Sequence, residues 1–367
     1  MRAVAVARAL KGGLGMVHLY IASMAGFSGK SLVTLGLGLL LKEEGFKIGY
    51  IKPFGRIPLK HGSHLIDADA EFMRKALEIE EHPDVVSPFV VTFEVQNSVL
   101  KGKKSDTFDV VKKALESIND KDIVIVGGSA DLFEGSVFGI NALTVISYLN
   151  ARTLVVEPWR GDGSIDSIIG SRELLGGSFA GAVINKVPQS AHDYIKNSVR
   201  PYLEKKGIPI FASLHRDILL DSITVRQLNE ILGGKVLCCE EGLDEFVENF
   251  SIGAMDVDSA LKYFRRTPNK AVITGAHRSD IQLAALETST KCVILTGGMY
   301  TNEFVQGKAK IARIPIISVR EDTFTAVEKI EAVLGKIRIR EQKKVLKTKE
   351  IIVKEFDFER FLKEVNL

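Results

Sequence analysis

Lys30 and Ser31 close the stretch Ser23-Met24-Ala25-Gly26-Phe27-Ser28-Gly29-Lys30-Ser31, and their types and spacing suit phosphate chemistry. An apolar run, Val17 to Ala22, precedes the stretch, and a helix-like segment, Leu32 to Glu44, follows it. Strand, glycine-bearing loop, Gly-Lys-Ser and helix is the order of a phosphate-binding loop. Such a loop turns the backbone N–H groups of Gly26, Phe27, Ser28 and Gly29, and those of the helix N-terminus, toward phosphate oxygens. The Lys30 ammonium then reaches the terminal phosphates, and the Ser31 hydroxyl ligates magnesium. The full pattern also asks for a glycine five or six residues before Gly29, where Met24 and Ser23 stand. An ordinary strand-to-helix turn is the competing reading.

Further groups could join this chemistry. Lys52 ends the run Gly49-Tyr50-Ile51-Lys52-Pro53, where an ammonium can neutralise a phosphate or a carboxylate under activation. A solvated strand-end lysine is the alternative. Asp67 and Asp69 open a helix; one acid suffices as a cap and the second could reach magnesium, with capping alone as the alternative. Asn185 and Lys186 follow the run Ala182–Ile184, where an amide can read an adenine or guanine edge. After Ile123–Val126, where an ATPase usually places an acid, the chain reads Gly127-Gly128-Ser129-Ala130, and the nearest acids are Asp131 and Glu134.

Alternating elements must position these groups. Apolar, β-rich runs at Val17–Ala22, Ile48–Ile51, Ile123–Val126, Leu154–Val156 and Ala182–Ile184, with a weaker one at Ile208–Phe211, are separated by helical stretches. That order predicts an α/β fold, a P-loop NTPase-like parallel sheet with helices on both faces and ligands at the carboxyl ends of its strands. The alternation restarts on a smaller scale after about residue 213. The expected domains are 16–212, a smaller α/β domain at 213–335, and a charged tail at 336–367, with Ser213–Ile231 as the join. Residues 1–15 read as a flexible extension or a misassigned start. Their Lys11-Gly12-Gly13-Leu14-Gly15 imitates another nucleotide loop but continues Met16-Val17-His18 instead of Lys-Ser. From Gly335 the tail holds ten Lys/Arg and six Asp/Glu, which predicts a solvated strand and helix.

Composition excludes several classes. A net charge of +3 over 367 residues gives no reason to expect a nucleic-acid partner. No apolar run approaches the roughly 18 residues needed to cross a bilayer, so no membrane partner is expected. Three cysteines, two of them adjacent at Cys238 and Cys239, make no disulfide framework and point to the cytoplasm.

Gly29-Lys30-Ser31, Gly49-Tyr50-Ile51-Lys52-Pro53, Asp69-Ala70 and Gly181-Ala182-Val183-Ile184-Asn185 resemble dethiobiotin synthetase, an ATP-dependent P-loop ligase, in order and spacing. The chain is more similar still to the N-terminal part of long bacterial phosphotransacetylases. There the P-loop region precedes a domain named for an Asp-Arg-Thr-Gly-Gly (DRTGG) signature. Thr274-Gly275-Ala276-His277-Arg278-Ser279-Asp280 and Leu295-Thr296-Gly297-Gly298 carry that second resemblance, with Gly253-Ala254-Met255 upstream and Asp322-Thr323-Phe324 downstream.

The resemblance implies ATP and Mg²⁺ as cofactors. It assigns Lys30, Ser31 and Lys52 to phosphate and substrate activation, Asp69 to magnesium and Asn185 to the base. Three positions depart from the ligase pattern: Ser23 for a loop glycine, Phe27 for a loop acid, and Gly127 for a magnesium-binding Glu. Losing that carboxylate weakens catalysis more than binding. In the second domain Ala276 and His277 replace Gly-Asp. Arg278 could hold an anion there, Ser279 or Asp280 could cap the following helix, and His277 could change charge near neutrality. A structural turn is the alternative for all four.

The resulting expectation is a nucleotide-binding regulatory or sensor protein with an unidentified small-molecule effector. The acetyl-transferring domain does not follow before Leu367, so phosphotransacetylase activity is not expected. An ATP-dependent ligase acting on a carboxylate or carbamate is the alternative. Glutamine-dependent amidation is disfavoured, because Cys238, Cys239 and Cys292 read as packing residues rather than nucleophiles. An open-edged sheet invites pairing, and a homodimer through the second domain or tail is the corresponding expectation.

Overall fold

A computed structural model describes residues 15–62, 64–103, 106–331 and 339–367. The start expected at 1–15 lies, up to residue 14, outside the described residues. The chain forms two compact units, one running to Arg216 and including Ile339–Leu367, the other Asp217–Arg338.

In the first unit, β1 (Val17–Ala22) leads through the glycine loop into α1 (Lys30–Glu43). β2 (Ile48–Ile51) is followed by a hairpin, β3 (Pro58–His61) and β4 (His64–Asp67), and then by α2 (Ala68–Ala76). β5 (Ile123–Gly127), β6 (Arg152–Pro158), α3 (Gly163–Leu175), β7 (Phe179–Val187) and β8 (Ile210–His215) follow. The main sheet has the order β2-β5-β1-β6-β7-β8, and every pairing in it is parallel. Its strands are continuous apolar runs because both faces are covered. The strand order reverses around β1, so the loop after β1 opens where an open α/β sheet binds its ligands. Ser213 lies within β8, so the first sheet extends into the expected join.

The second unit is built on β9 (Lys235–Cys238), β10 (Asn249–Ile252), β11 (Lys270–Gly275), α4 (Ser279–Leu286), β12 (Thr290–Thr296) and β13 (Ile316–Ser318). Their order is β9-β13-β12-β11-β10, with only β9 antiparallel. Val272, Val293 and Leu295 serve one core, while Ala271, Ile273, Cys292 and Ile294 serve another. That is the period-two signature of strands buried on both faces.

The charged tail corrects the sequence expectation. It forms two helices, α5 (Gln342–Glu355) and α6 (Phe358–Val365), and both belong to the first unit. α5 packs on α1, and α6 packs against β7 and β8. The reason is hydrophobic: Ile351, Ile352, Phe356, Phe361, Leu362 and Val365 are all buried beneath the charges. Phe356 and Phe361 pack on the Phe211 ring at centroid distances of 5.8 and 5.6 Å. Gly36 of α1 makes the approach possible, since a Cβ there would lie 2.3 Å from Ile352 Cγ1. Ile352→Val should therefore lower stability by about 1 kcal/mol in denaturant unfolding. A neutral result would mean that the tail is not docked on α1.

Candidate functional site

The loop between β1 and α1 is fixed by its own side chains and by a neighbouring strand. Ser23 Oγ donates to the Ala25 carbonyl at 2.8 Å and accepts from the Ala25 N–H at 3.1 Å. Phe27 has φ 56°, an uncommon value for a non-glycine residue, and the residue is 59% exposed. Gly29 has φ 95°, and a Cβ there would lie 1.9 Å from Asn185 Nδ2. Only glycine fits this turn. Gly26 is less constrained, with Ala130 Cβ 3.8 Å from where a Cβ would stand.

α1 begins with no side-chain cap and no acidic residue in its first turn. Its first N–H groups and the positive end of its dipole are thus left for an anion. Ser31 is the second residue of α1 and is exposed. Lys30 Nζ lies 2.9 Å from the Ala130 carbonyl, 3.4 Å from Ser28 Oγ and 3.5 Å from the Ala25 carbonyl. Burial drives its pKa down to about 8. Glu134, Asp131 and Glu157 pull it upward, and the charge of Lys52 pushes it further down. The loop lysine therefore lies within the field of the lysine that follows β2.

Lys52 is anchored by Asp67, whose Oδ1 lies 2.8 Å from Lys52 Nζ. Asp67 is the fully buried cap of α2, accepting from the N–H groups of Asp69 and Ala70 through Oδ1 and of Arg56 and Ile57 through Oδ2. Asp69, expected at magnesium, stands 3.8 Å from Lys52 and 3.0 Å from Arg340 Nη2, an arginine that begins the docked tail. Asn185, expected at the base, is buried and donates Nδ2 to the Ser28 carbonyl at 2.8 Å. In this arrangement its amide braces the loop. Lys186 follows with φ 56°.

Sequence reasoning found no acid at position 127, and the structure gives the reason. A Cβ on Gly127 would lie 2.6 Å from the Tyr50 hydroxyl, so a buried phenol fills that space. Burial, and then the charges of Asp67 and Asp69, hold the Tyr50 pKa well above its ordinary value, so it stays neutral. The two acids that follow are committed to the loop. Asp131 Oδ1 accepts from the N–H groups of Phe133 and Glu134 at 2.8 and 2.9 Å. Glu134 accepts from the Ala130 N–H at 2.6 Å and from Arg56 Nε at 2.5 Å.

A third acid was missed. Glu157, on β6, has no exposed surface. One of its oxygens accepts from Arg160 Nη2 at 2.9 Å, whereas Oε2 has no hydrogen-bond partner. Burial raises its pKa, against the lowering effects of Arg160, Ser167 and Lys30. Its signal was legible: an acid directly after the apolar run Leu154–Val156. Among the described residues, no three His, Cys, Asp or Glu side chains converge to hold a metal. A magnesium ion here would need ligand phosphates and water beside Ser31, as this ion commonly does. A serine hydroxyl and a buried carboxylate oxygen without a protein partner fit that requirement.

In the second unit Arg278 is engaged within its own turn. It lies 2.9 Å from the Met255 carbonyl and 2.9–3.0 Å from the Asp280 carboxylate. Ser279 Oγ accepts from Asn302 Nδ2 at 3.1 Å, and the His277 ring fills the space where a Gly275 Cβ would stand. Of the four, Arg278 and Asp280 meet each other, while Ser279 and His277 contact Asn302 and Gly275. Cys238, Cys239 and Cys292 are free and buried. Burial pushes the thiols of Cys239 and Cys292 up to about 12, which suits packing rather than nucleophilic attack. Among the described residues no helix is long and apolar enough to cross a membrane.

The family model described as an AAA domain matches residues 18–224, more than half of the chain, and the DRTGG domain model matches 227–333. The phosphate acetyltransferase of Nitratidesulfovibrio vulgaris is 24% identical over 353 residues, covering 89% of this chain and 49% of that protein. The phosphate acetyltransferase of Synechocystis is 25% identical over 281 residues, covering 73% and 39%. The ATP-dependent dethiobiotin synthetase BioD of Caldicellulosiruptor saccharolyticus is 30% identical over 109 residues, covering 28% and 44%. The chain thus spans about half the length, or less, of these relatives. A solved structure of the CBS and DRTGG domains of a Clostridium perfringens pyrophosphatase, complexed with diadenosine tetraphosphate, covers 42% of this chain and 73% of its own at 19% identity, with a TM-score of 0.28. The chain belongs to the AAA-domain family of P-loop proteins through residues 18–224 and carries a DRTGG domain at 227–333.

Proposed function

We propose that the first unit binds ATP with Mg²⁺ at the β1–α1 loop and acts as a regulatory nucleotide sensor. The observation that carries this reading is the uncapped, acid-free start of α1 with Lys30 held beneath the loop. Lys30 and the helix N–H groups would bind the phosphates, and Ser31 would hold the magnesium. Bound magnesium supplies charge neutralisation between phosphate oxygens. The regulatory part of the proposal draws on the likeness to phosphate acetyltransferases and on Gly127, where the phenol of Tyr50 replaces an acid. Asp69 adds a route for signalling. A nucleotide–metal group that attracts this carboxylate competes with Arg340, close to where the chain returns from the DRTGG domain.

A second reading, an ATP-dependent ligase, is favoured by one observation: the charge of Lys52 reaches Lys30, as in a pair stabilising a transferring phosphoryl group. Single-turnover incubation with radiolabelled ATP·Mg²⁺, protein in excess, separates the two. Retained, unhydrolysed ATP is the expected result. Phosphate release that requires Lys30 would instead establish the enzyme, and no retention at all would overturn both readings.

A further inference from the structure

Lys30 feels the charge of three acids: Glu134, Asp131 and Glu157. Two of them are tied to the loop that follows β5, where backbone N–H groups and Arg56 bond both oxygens of Glu134 and one oxygen of Asp131. Glu157 differs. It comes from β6, which flanks β1 on the side opposite β5. In the β1–β6 register Val155 faces Ala22, the last residue of β1. Glu157 therefore stands two residues further, level with the beginning of the loop.

A carboxylate there is costly. Burying an ionised acid with an unsatisfied oxygen is unfavourable, as leaving one partner of a buried ion pair alone is. A purely structural pair with Arg160 would not explain the arrangement well. The Arg160 side chain is 59% exposed and bonds only one of the two oxygens, and although Ser167 stands near enough to favour the charged form, Oε2 has no partner within hydrogen-bond geometry. A buried acid kept with one oxygen lacking a protein partner, within the field of a phosphate-binding lysine, is arranged as a functional group. A magnesium ion on nucleotide phosphates keeps several waters, and these need acceptors that the protein must supply.

Resting on the nucleotide reading above, we propose that Glu157 is the acidic partner of the Mg²⁺–nucleotide group. It accepts hydrogen bonds from metal-bound water and supplies from β6 the carboxylate that Gly127 does not supply from β5. The position differs from that implied by the ligase resemblance, which places the acid after the strand that is β5 here. The assignment concerns binding and orientation; no bond is made or broken by Glu157.

The test is a titration of the full chain with a fluorescent ATP analogue, in Mg²⁺ and in EDTA, for wild type and Glu157→Gln. Wild type should bind more tightly in Mg²⁺. Glu157→Gln should lose about tenfold to hundredfold of that gain, the usual cost of removing an outer-shell partner. Its affinity in EDTA should be unchanged or higher, because a negative charge near the phosphates has gone. An undiminished magnesium gain in Glu157→Gln would overturn the proposal. If that variant does not fold, Glu157→Asp decides. It keeps the charge but withdraws it by one methylene, so it should shrink the gain, and an undiminished gain again overturns the assignment. Wild-type binding with no magnesium gain would remove the role of Glu157 and leave the nucleotide reading standing. No binding under either condition would remove both.

Discussion

Lys30→Ala is expected to weaken nucleotide binding at least about hundredfold, about 2.7 kcal/mol, without destabilising the empty protein. The first effect follows from chemistry. A charge-assisted hydrogen bond to phosphate is among the stronger polar contacts, and the ammonium stands at the mouth of an uncapped helix. The second follows from the pKa. Burial holds Lys30 near 8, so the empty fold spends free energy keeping this group charged at neutral pH. Relief of that cost is bounded on the order of 3 kcal/mol and is offset by the lost packing of the aliphatic stem.

The pH dependence has a definite sign. Phosphate binding raises the Lys30 pKa, so affinity is full below about pH 8, where the empty site is already charged. Above that value affinity falls, by up to about tenfold per pH unit, until the pKa of the bound state is reached. Calorimetric titrations from neutral to alkaline pH, with thermal melts of the empty proteins, check both statements. A Lys30→Ala protein that binds as wild type, or melts far below it, would remove Lys30 from the site.

Asp67→Ala should destabilise the first unit by about 3–5 kcal/mol, the usual cost of removing one partner from a buried ion pair. Five donors converge on this carboxylate: Lys52 Nζ and the N–H groups of Arg56, Ile57, Asp69 and Ala70. Asp67→Asn should also be costly, despite its matching shape. Both carboxylate oxygens accept, so either orientation of the amide turns its NH₂ against donors. Burial alone would raise the Asp67 pKa, but the charge and hydrogen bond of Lys52 and the backbone N–H groups outweigh it and lower the value. The stabilisation is therefore complete above the ordinary carboxylate pKa, about 3.9. It is lost as pH falls through the lower folded value. Urea unfolding at neutral pH and at progressively lower pH measures it. Lys52 should lose its orientation along with Asp67, so a ligase assay, if one is established, should fall in parallel. A difference below about 1 kcal/mol would show that the cluster does not hold the region together.

Among its acids and amides, the sequence specified which residues would cluster better than what each would do there. Asp67 and Asp69 both looked able to cap α2; the hairpin β3–β4, invisible to helical periodicity, delivers Asp67 into the capping position and turns Asp69 toward Arg340. Asn185 was expected just after a strand and instead lies within β7, and only the distance across β6 to the loop shows its Nδ2 on Ser28. Glu157 was passed over because the search for an acid followed the strand after residue 123, while either neighbour of β1 reaches the loop.

What the sequence settled by itself is local. The apolar runs fix parallel strands buried on both faces, the Gly-Lys-Ser step fixes the turn into α1, and the glycine-bearing strand ends mark the DRTGG domain. The structure then buries Leu32, Leu35, Leu37, Leu40 and Leu41 around α1, a helix that the sheet can shield on one side only. The tertiary structure decided what no local pattern encodes. It chose the tail as the cover on α1, filled position 127 with Tyr50, and left one oxygen of Glu157 without a protein partner. Periodicity reports which face of an element seeks burial, but the partner that supplies it comes from distant chain, and charge, shape and hydrogen bonding select it only once the sheet has formed.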